Sequence, residues 1–407
     1  MSTKANEALG RRSFLGASAV AAGSGLLLLK SETAFGSQAN STVEIGIIGC
    51  GSRGNWIGPF FPEYTGARIV AVADVIRANL DSTRASFKVD ASRAYYGPEA
   101  YRELIGSKVD AVVIETPPYY HPDHAMAAVE AGKHVYMAKP VAVDVPGCKR
   151  ILAASQKAIG NVSFLVDFQT RAQPVFQEAA NRVHRGDIGK PVMAQVFYYA
   201  GRVIPDRVQP GMEPGLARMT NIYADRVLGG DIIVEQNIHV IDVANWFLNA
   251  HPLKAFGTGG RTDWSGTQYQ SGDAWDHFLV TYWYPDAVQA TFSSNQLTRS
   301  FSDLCVRCFG IKGCVDSHYN GLVRITGDNA WSGTELDPTF KEGAVNNVKA
   351  FIASIHSGKL LNNGPTAVES NLTAILGRTA AYRQSVVTWD EMMKSTEKWE
   401  ADLKLRW

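Results

Sequence analysis

Residues 43–48 (VEIGII) form a short apolar run that breaks at once into Gly49-Cys50-Gly51-Ser52-Arg53-Gly54, and few folds accept that junction. A nearly continuous apolar run of this length reads as a strand buried on both faces, as in a parallel sheet. The turn matches G-x-G-x-x-G. Its first glycine permits the tight bend, its second lets backbone N–H groups approach a pyrophosphate, and its third lets helix and strand pack closely. The helix that follows points its N-terminus at the anion. The motif alone is weak, so its surroundings matter. A second apolar run, residues 68–73 (RIVAVA), ends at Asp74, twenty residues beyond Gly54. A carboxylate there can accept hydrogen bonds from ribose hydroxyls. It also repels a 2′-phosphate, so NAD is expected over NADP, with Arg53 and Arg77 keeping NADP open. Cys50 reads as a small packing residue rather than a nucleophile.

The alternation continues. Residues 76–87 are expected to be helical and residues 109–115 (VDAVVIE) form a strand, stopped by Thr116-Pro117-Pro118. A helix over 124–131 closes at Gly132, and a strand over 134–137 ends before Pro140. Strands alternating with helices point to βαβ units and a doubly wound parallel sheet. After about residue 160 the pattern changes. A strand over 162–168 and a helix over 174–184 lead to an aromatic-rich strand over 191–200 and a mostly helical stretch, 231–248. Strand-like runs then follow one another from 278 to 325 without intervening helices, as in a largely antiparallel sheet. Helices over 345–357 and 366–384 close the chain. The fold class is therefore α/β: a Rossmann domain at 41–160, then an α+β substrate and oligomerisation domain with a large, mostly antiparallel open sheet at 161–407. Residues 1–40 stand apart as signal and linker.

With 407 residues, 45% hydrophobic and 19% charged, two ordinary globular domains are accommodated. Formal charge is +1 with no long basic run, which disfavours a nucleic-acid partner. Five cysteines are too few for a disulfide-built scaffold. Arg11-Arg12, Ser13-Phe14-Leu15-Gly16, an Ala/Gly/Leu stretch to Leu29, and small residues around Ala34, Gly36 and Ala39 resemble a bacterial twin-arginine export signal. Gly10 departs from the usual Ser or Thr. A periplasmic or otherwise exported protein is expected, without stable membrane insertion after cleavage. An uncleaved anchor and an ordinary basic N-terminus are the alternatives. The apolar stretch is short for a spanning helix.

Several further motifs carry a family resemblance. Thr116-Pro117-Pro118 with His121 and His124, Ala131-Gly132-Lys133-His134-Val135, Lys139-Pro140, residues 186–191 (GDIGKP), and Gly229-Gly230-Asp231 through His239 and Asp242 look like the Gfo/Idh/MocA oxidoreductases. The arginine-pair start is similar to that of the periplasmic glucose–fructose oxidoreductases among them. The resemblance implies that Lys139 is the catalytic lysine of a Glu-Lys-Pro motif whose glutamate is Ala138 here. It implies that His239 is the catalytic histidine of an Asp-x-Gly-x-His-x-x-Asp motif in which Glu235 and Asn237 replace aspartate and glycine. Cofactor contacts are expected from Gly49, Gly51, Ser52, Arg53, Gly54, Asp74, Thr116, Pro117, His121 and Lys139. Substrate contacts are expected from Arg171, Asp242 and Tyr198.

On one helix, Glu235, His239 and Asp242 at i, i+4 and i+7 share a face and would point together at the nicotinamide. A histidine of near-neutral pKa suits removal of a hydroxyl proton. A lysine at the sheet's C-terminal crevice can stabilise the developing alkoxide. Bland readings stand beside these: Arg171 in a surface ion pair, Asp242 as a structural partner, and Tyr198 in packing, since Tyr198 and Tyr199 alternate along a strand. His121 and His124 have metal-like spacing but no evident third ligand, so no metal is expected. Cys305 and Cys308 face opposite sides of a strand, and packing outranks zinc or redox roles. The resemblance implies NAD(P)-dependent hydride transfer at a secondary alcohol of a sugar, glycoside or cyclic polyol, and a homo-oligomeric dimer or tetramer; tightly bound NAD is expected of an exported member. An NAD-dependent glycosidase, working by transient oxidation and elimination, is the alternative. A non-catalytic dinucleotide or sugar sensor is a third reading, which retention of Lys139 and His239 opposes.

Overall fold

The computed structural model describes residues 42–201, 208, 211–262, 272–297, 301–319, 321–334 and 340–403. The arginine pair and the apolar stretch behind it lie outside the described residues. Among the described residues no helix is long and apolar enough to cross a membrane.

The first sheet comprises β1 (Glu44–Ile48), β2 (Arg68–Asp74), β3 (Ala94–Tyr96), β4 (Ala111–Ile114), β5 (His134–Ala138) and β6 (Phe164–Asp167), in the order β3-β2-β1-β4-β5-β6. Every pairing is parallel. Ile45, Ile47, Val112, Val113, Val135 and Met137 are buried on both faces, which is why these runs read as uninterrupted apolar stretches. The chain direction of the spatial order reverses between β1 and β4, and such reversals open a crevice at the strands' C-terminal ends.

The structure redraws the boundary expected at residue 160. β6 lies beyond it, yet pairs in parallel with β5 from Val135↔Phe164 to Ala138↔Asp167. A short buried run carries no mark of the sheet it joins, so sequence periodicity could not assign it. The outer edge of β6 is covered by a later segment. Phe164 N donates to Leu361 O at 2.8 Å. The Asn363 amide accepts from Val166 N at 2.7 Å and donates to Val166 O at 2.8 Å. This substitutes for a seventh strand and leaves no open edge there. The helix Lys341–Ser357 also returns to the first sheet, where Phe351 packs against Phe61 and Tyr136. The Rossmann layer is thus completed by chain from far beyond 160.

Among the described residues the second sheet has nine strands: β7 (Pro191–Tyr199), β8 (Lys254–Gly260), β9 (His277–Trp283), β10 (Gln289–Asn295), β11 (Asp303–Gly310), β12 (Gly313–His318), β13 (Val323–Gly327), β14 (Trp331–Ser332) and β15 (Val387–Thr388). Their order is β14-β13-β12-β11-β7-β10-β9-β8-β15. Among the described residues of this sheet, only β7 and β10 pair in parallel. Burial alternates along the strands: Ala290, Phe292 and Ser294 of β10 and Phe278, Val280 and Tyr282 of β9 face inward, as a one-sided sheet requires. The helices Ile238–Leu248 and Gly364–Arg383 pack on that inner face. One apolar cluster runs from Ile48 and Ile114 of the first sheet to Val196 and Phe292 of the second, so the two layers share a core.

Residues 231–248 are not one helix. A short turn of helix, Ile232–Glu235, ends before Gln236 and Asn237, and a second helix begins at Ile238. Glu235 therefore does not share a helix face with His239 and Asp242, and the i, i+4, i+7 expectation fails. The entry to this region is locked. Asp231, at φ +69°, accepts from Ile232 N at 2.7 Å and Trp275 N at 3.0 Å, and also from the Tyr382 hydroxyl. Its carboxylate caps the short helix that carries Glu235.

Candidate active site

The glycine turn forms one wall of a cleft of about 440 Å³ at the ends of β1, β2 and β4. Gly49 has φ +98°, and a Cβ there would lie 2.6 Å from the Glu115 carbonyl carbon. A Cβ on Gly54 would lie 2.1 Å from Gly49 O, so this residue sets how closely the helix packs on β1. A Cβ on Gly51 would meet nothing within 4 Å. The middle glycine alone faces open space, where a bulky anion needs the backbone bare. Asp74 lines the cleft and accepts from Cys50 N and Ile76 N, both at 2.6 Å. Burial raises its pKa, against the opposing pull of these backbone bonds. Ser52, Arg53, Thr116 and Pro117 complete the lining named in the sequence. Cleft size, bare Gly51 backbone and recessed carboxylate fit a dinucleotide whose ribose hydroxyls meet Asp74. Cys50 is fully buried against Ala73 O, and burial pushes its thiol up, as expected of a packing residue.

A second cavity of about 200 Å³ shares Arg53, Glu115 and Thr116 with the cleft. Lys139, just past the end of β5, enters it, with Ala138 beside it. The Lys139 ammonium donates to the Glu235 carbonyl and lies 3.3 Å from Glu235 Oε1. Its height is fixed from behind: Asn371 accepts from Val141 N at 2.9 Å and donates to Ala142 O at 3.0 Å. Burial lowers the Lys139 pKa, and the adjacent Glu235 carboxylate counters it. His239 lines the same cavity, with Nδ1 3.5 Å from the Tyr319 hydroxyl. Its pKa falls well below the usual imidazole range, first from burial and then from the Lys139 and Arg53 cations. His239 is therefore a neutral ring, able to accept a proton. Glu235 Oε2, both Gln236 amide atoms and both Glu115 oxygens are buried without a hydrogen-bond partner among the described residues. Buried polar atoms are nearly always paired, so these await a polar ligand.

Three residues expected at the site stand elsewhere. Asp242 is fully buried; it accepts three hydrogen bonds from Arg171, at 2.8 to 3.0 Å, and one from Ser370 at 2.6 Å. Neither Asp242 nor Arg171 lines either cavity; the carboxylate is spent on the guanidinium. His121 is buried with one ring nitrogen 2.7 Å from Thr116 O and the other 2.8 Å from Pro140 O. It ties the ends of β4 and β5 together behind the site and does not line the cleft. Tyr198 does face the second cavity, while Tyr199 pairs with Ser293 on the other side of β7. His124 lies beside Thr116 Oγ1 at 3.1 Å and lines the cleft.

Sequence reasoning missed Glu115, Asp167, Gln236 and Tyr223, all of which line the second cavity. For the first two a signal existed. Each carboxylate ends an apolar run, VVIE and FLVD, at the C-terminal edge of a parallel strand, where ligands bind in such folds. Arg53 forms an ion pair with Asp167 and sits 3.7 Å from Glu115. Among the described residues, Asp303, Cys305 and His318 bring three possible metal-ligating atoms within 4.8 Å of one another. Arg307 occupies the space at His318 Nε2, 3.3 Å away, so the group reads as an ion network on the sheet. Cys305 and Cys308 are both buried.

Residues 43–165 match a family model described as "Oxidoreductase family, NAD-binding Rossmann fold", and residues 176–316 match the "GFO/IDH/MocA C-terminal domain". Inositol 2-dehydrogenase 3 of Saccharopolyspora erythraea is 36% identical over 198 residues, 48% of this chain and 56% of that protein. The chain spans about half the length of the curated relatives it matches. Among solved structures, scyllo-inositol dehydrogenase from Lactobacillus casei with bound NAD(H) and scyllo-inositol superposes with TM-score 0.67 at 19% identity, covering 86% of this chain and 100% of that one. Aldose–aldose oxidoreductase from Caulobacter crescentus, complexed with glycerol, gives TM-score 0.69 at 19% identity over the same shares. At that identity the structural likeness speaks for the fold, and the two family models speak for descent. With its NAD-type glycine turn, its six-stranded Rossmann sheet and its open nine-stranded sheet, the chain belongs to the Gfo/Idh/MocA family.

Proposed function

We propose that this protein is an NAD-dependent oxidoreductase that oxidises a secondary alcohol of a cyclic polyol or sugar. The observation that carries this reading is the shared wall between the two cavities. The dinucleotide cleft adjoins a polar chamber holding Lys139, Glu235 and His239, and the two share Arg53, Glu115 and Thr116 as lining. Unpartnered donors and acceptors in one chamber suit a ligand that bears many hydroxyls, each both donor and acceptor. The inositol dehydrogenases among the relatives support the same class.

Bound NAD supplies the hydride acceptor, and the rest falls to the protein. Neutral His239 takes the hydroxyl proton. The Lys139 ammonium, held by Glu235, stabilises the oxygen as it becomes alkoxide-like. Burial of the chamber strengthens both effects by excluding bulk water. Export by the twin-arginine route, homo-oligomerisation and retention of the cofactor between turnovers belong to the same proposal. Export and cofactor retention rest on the arginine pair and on the isolation of an exported enzyme from the cytoplasmic NAD pool, and homo-oligomerisation rests on the family resemblance and the large open second sheet.

The test is a panel of inositols, aldoses and glycosides, followed by NADH absorbance and product analysis. Lys139→Met and His239→Asn are each expected to lower kcat by roughly 10²–10⁴-fold, with NAD affinity changed little. Accumulating ketone supports net oxidation. Aglycone released without NADH supports the redox-neutral glycosidase. Full turnover in both variants overturns the assignment of Lys139 and His239.

A further inference from the structure

Glu115 is a buried carboxyl that the chemistry above leaves unused. Its side chain is wholly enclosed, and neither oxygen has a hydrogen-bond partner among the described residues. It sits in the wall common to the dinucleotide cleft and the substrate chamber. The groups facing it are Arg53 from the helix after β1, Asp167 from the end of β6, Lys139 and Tyr136 from β5 and its end. Glu235 and His239 face the same chamber from across it. Arg53, the nearest cation, is already committed to Asp167. Glu115 is thus a carboxyl without a committed counter-charge, in the wall between the cleft that would hold the dinucleotide and the chamber that would hold the substrate.

We propose that Glu115 is the proton carrier of the site, ionised when oxidised NAD is bound and protonated when the reduced form is bound. This rests on the proposed oxidoreductase reading. The balance closes. The alcohol's C–H bond breaks, and its hydrogen with both electrons passes to the oxidised nicotinamide. The O–H bond breaks, the C=O bond forms, and the proton taken by His239 ends on Glu115. Alcohol, NAD⁺ and carboxylate become ketone, NADH and carboxylic acid. His239 cannot keep that proton, since burial and two neighbouring cations disfavour its charged form. In the ligand-free protein burial raises the Glu115 pKa to about 8, even with Arg53 lowering it. Its ionisation is therefore poised to respond to one more nearby charge. Proton and hydride would then be held together in the site, ready to return to a second carbonyl without exchange with solvent. Glu115 would also supply a carboxyl to a site whose Lys-Pro motif begins with Ala138.

The experiment uses binding rather than turnover. Titration calorimetry of the full protein with NAD⁺ and with NADH, in buffers of different ionisation enthalpy, counts protons released. Near pH 7, NAD⁺ is expected to displace close to one proton and NADH close to none. Between pH 6 and 7 the NAD⁺ Kd is expected to tighten about tenfold, as one linked proton requires, with a shallower slope toward pH 8, while that of NADH stays flat. Glu115→Gln, nearly isosteric, should abolish the difference and keep NADH affinity. If that variant does not fold, the wild-type infrared difference spectrum between the two bound forms serves instead. A protonated-carboxyl band present only with NADH supports the proposal, and no such band overturns it. Equal proton counts for the two nucleotides, or a difference that persists in Glu115→Gln, also overturn it while leaving the oxidoreductase reading intact. Failure of either nucleotide to bind overturns both.

Discussion

Replacing Asp242 by alanine separates a structural carboxylate from a substrate-binding one. In the folded protein Asp242 accepts from Arg171 Nε at 2.8 and 3.0 Å, from Arg171 Nη2 at 2.9 Å and from Ser370 at 2.6 Å. Its side chain is fully buried, and that of Arg171 is 23% exposed. Breaking a buried ion pair by removing one partner costs about 3–5 kcal/mol. Because Arg171 reaches solvent and can partly rehydrate, the lower end, about 3 kcal/mol, applies. At an unfolding entropy of about 2.1 cal/mol/K per residue, a chain of this size shifts by roughly 1–2 °C per kcal/mol, so the melting temperature should fall by roughly 3–6 °C. Asp242→Asn, which keeps volume and some hydrogen bonding, should fall between wild type and alanine. Thermal unfolding by circular dichroism measures the shift, and KM for a turned-over polyol, taken well below the new melting point, should stay within about twofold. A melting temperature unchanged within about 2 °C, together with a tenfold higher KM, would refute the reasoning and return Asp242 to the substrate.

Other outcomes follow from the same geometry. Gly51→Ala should fold normally, because its Cβ enters open space, yet lose NAD affinity by obstructing the bare backbone. Gly54→Ala should lose stability outright, because its Cβ meets the Gly49 carbonyl; thermal melts with and without NAD distinguish the two. For Glu115, the folded protein retains a proton up to about pH 8 that the unfolded chain gives up near 4.5. Its contribution to stability therefore falls as pH rises between those values and is level above them. Glu115→Gln should stabilise the ligand-free protein at pH 8 by about 2–4 kcal/mol relative to its effect at pH 5; an equal effect at both pH values would contradict this.

Much of the fold was legible because its signals are local. An apolar strand, a glycine turn and a strand-ending aspartate lie within about thirty residues and belong to one βαβ unit. What escaped depends on distant chain. β6 joins the first sheet through contacts with 361–363, and the helix Lys341–Ser357 packs there through Phe351. No pattern inside 161–407 announces that return. At the site, Lys139 and His239 were found through motif position, and Glu235 reaches Lys139 from a separate turn of helix. Arg171 and Asp242 are polar residues in plausible places, and only tertiary structure shows that they satisfy each other. Glu115 and Asp167 were passed over because each reads as the polar end of a strand. The structure shows that those ends border the chamber.

The central claim, that the chamber beside the dinucleotide cleft passes a hydride from a polyol carbon to NAD, is tested most directly by isotope. Protein loaded with NAD is mixed with ring-deuterated inositols and sugars in ordinary water, the nucleotide is released by cold organic solvent at alkaline pH, and its mass is read. The account predicts that at least one polyol leaves a deuterium on the nicotinamide in a single turnover, and that Lys139→Met and His239→Asn suppress this without abolishing NAD binding. NAD that binds in the cleft but stays unlabelled with every polyol, sugar and glycoside offered would contradict it.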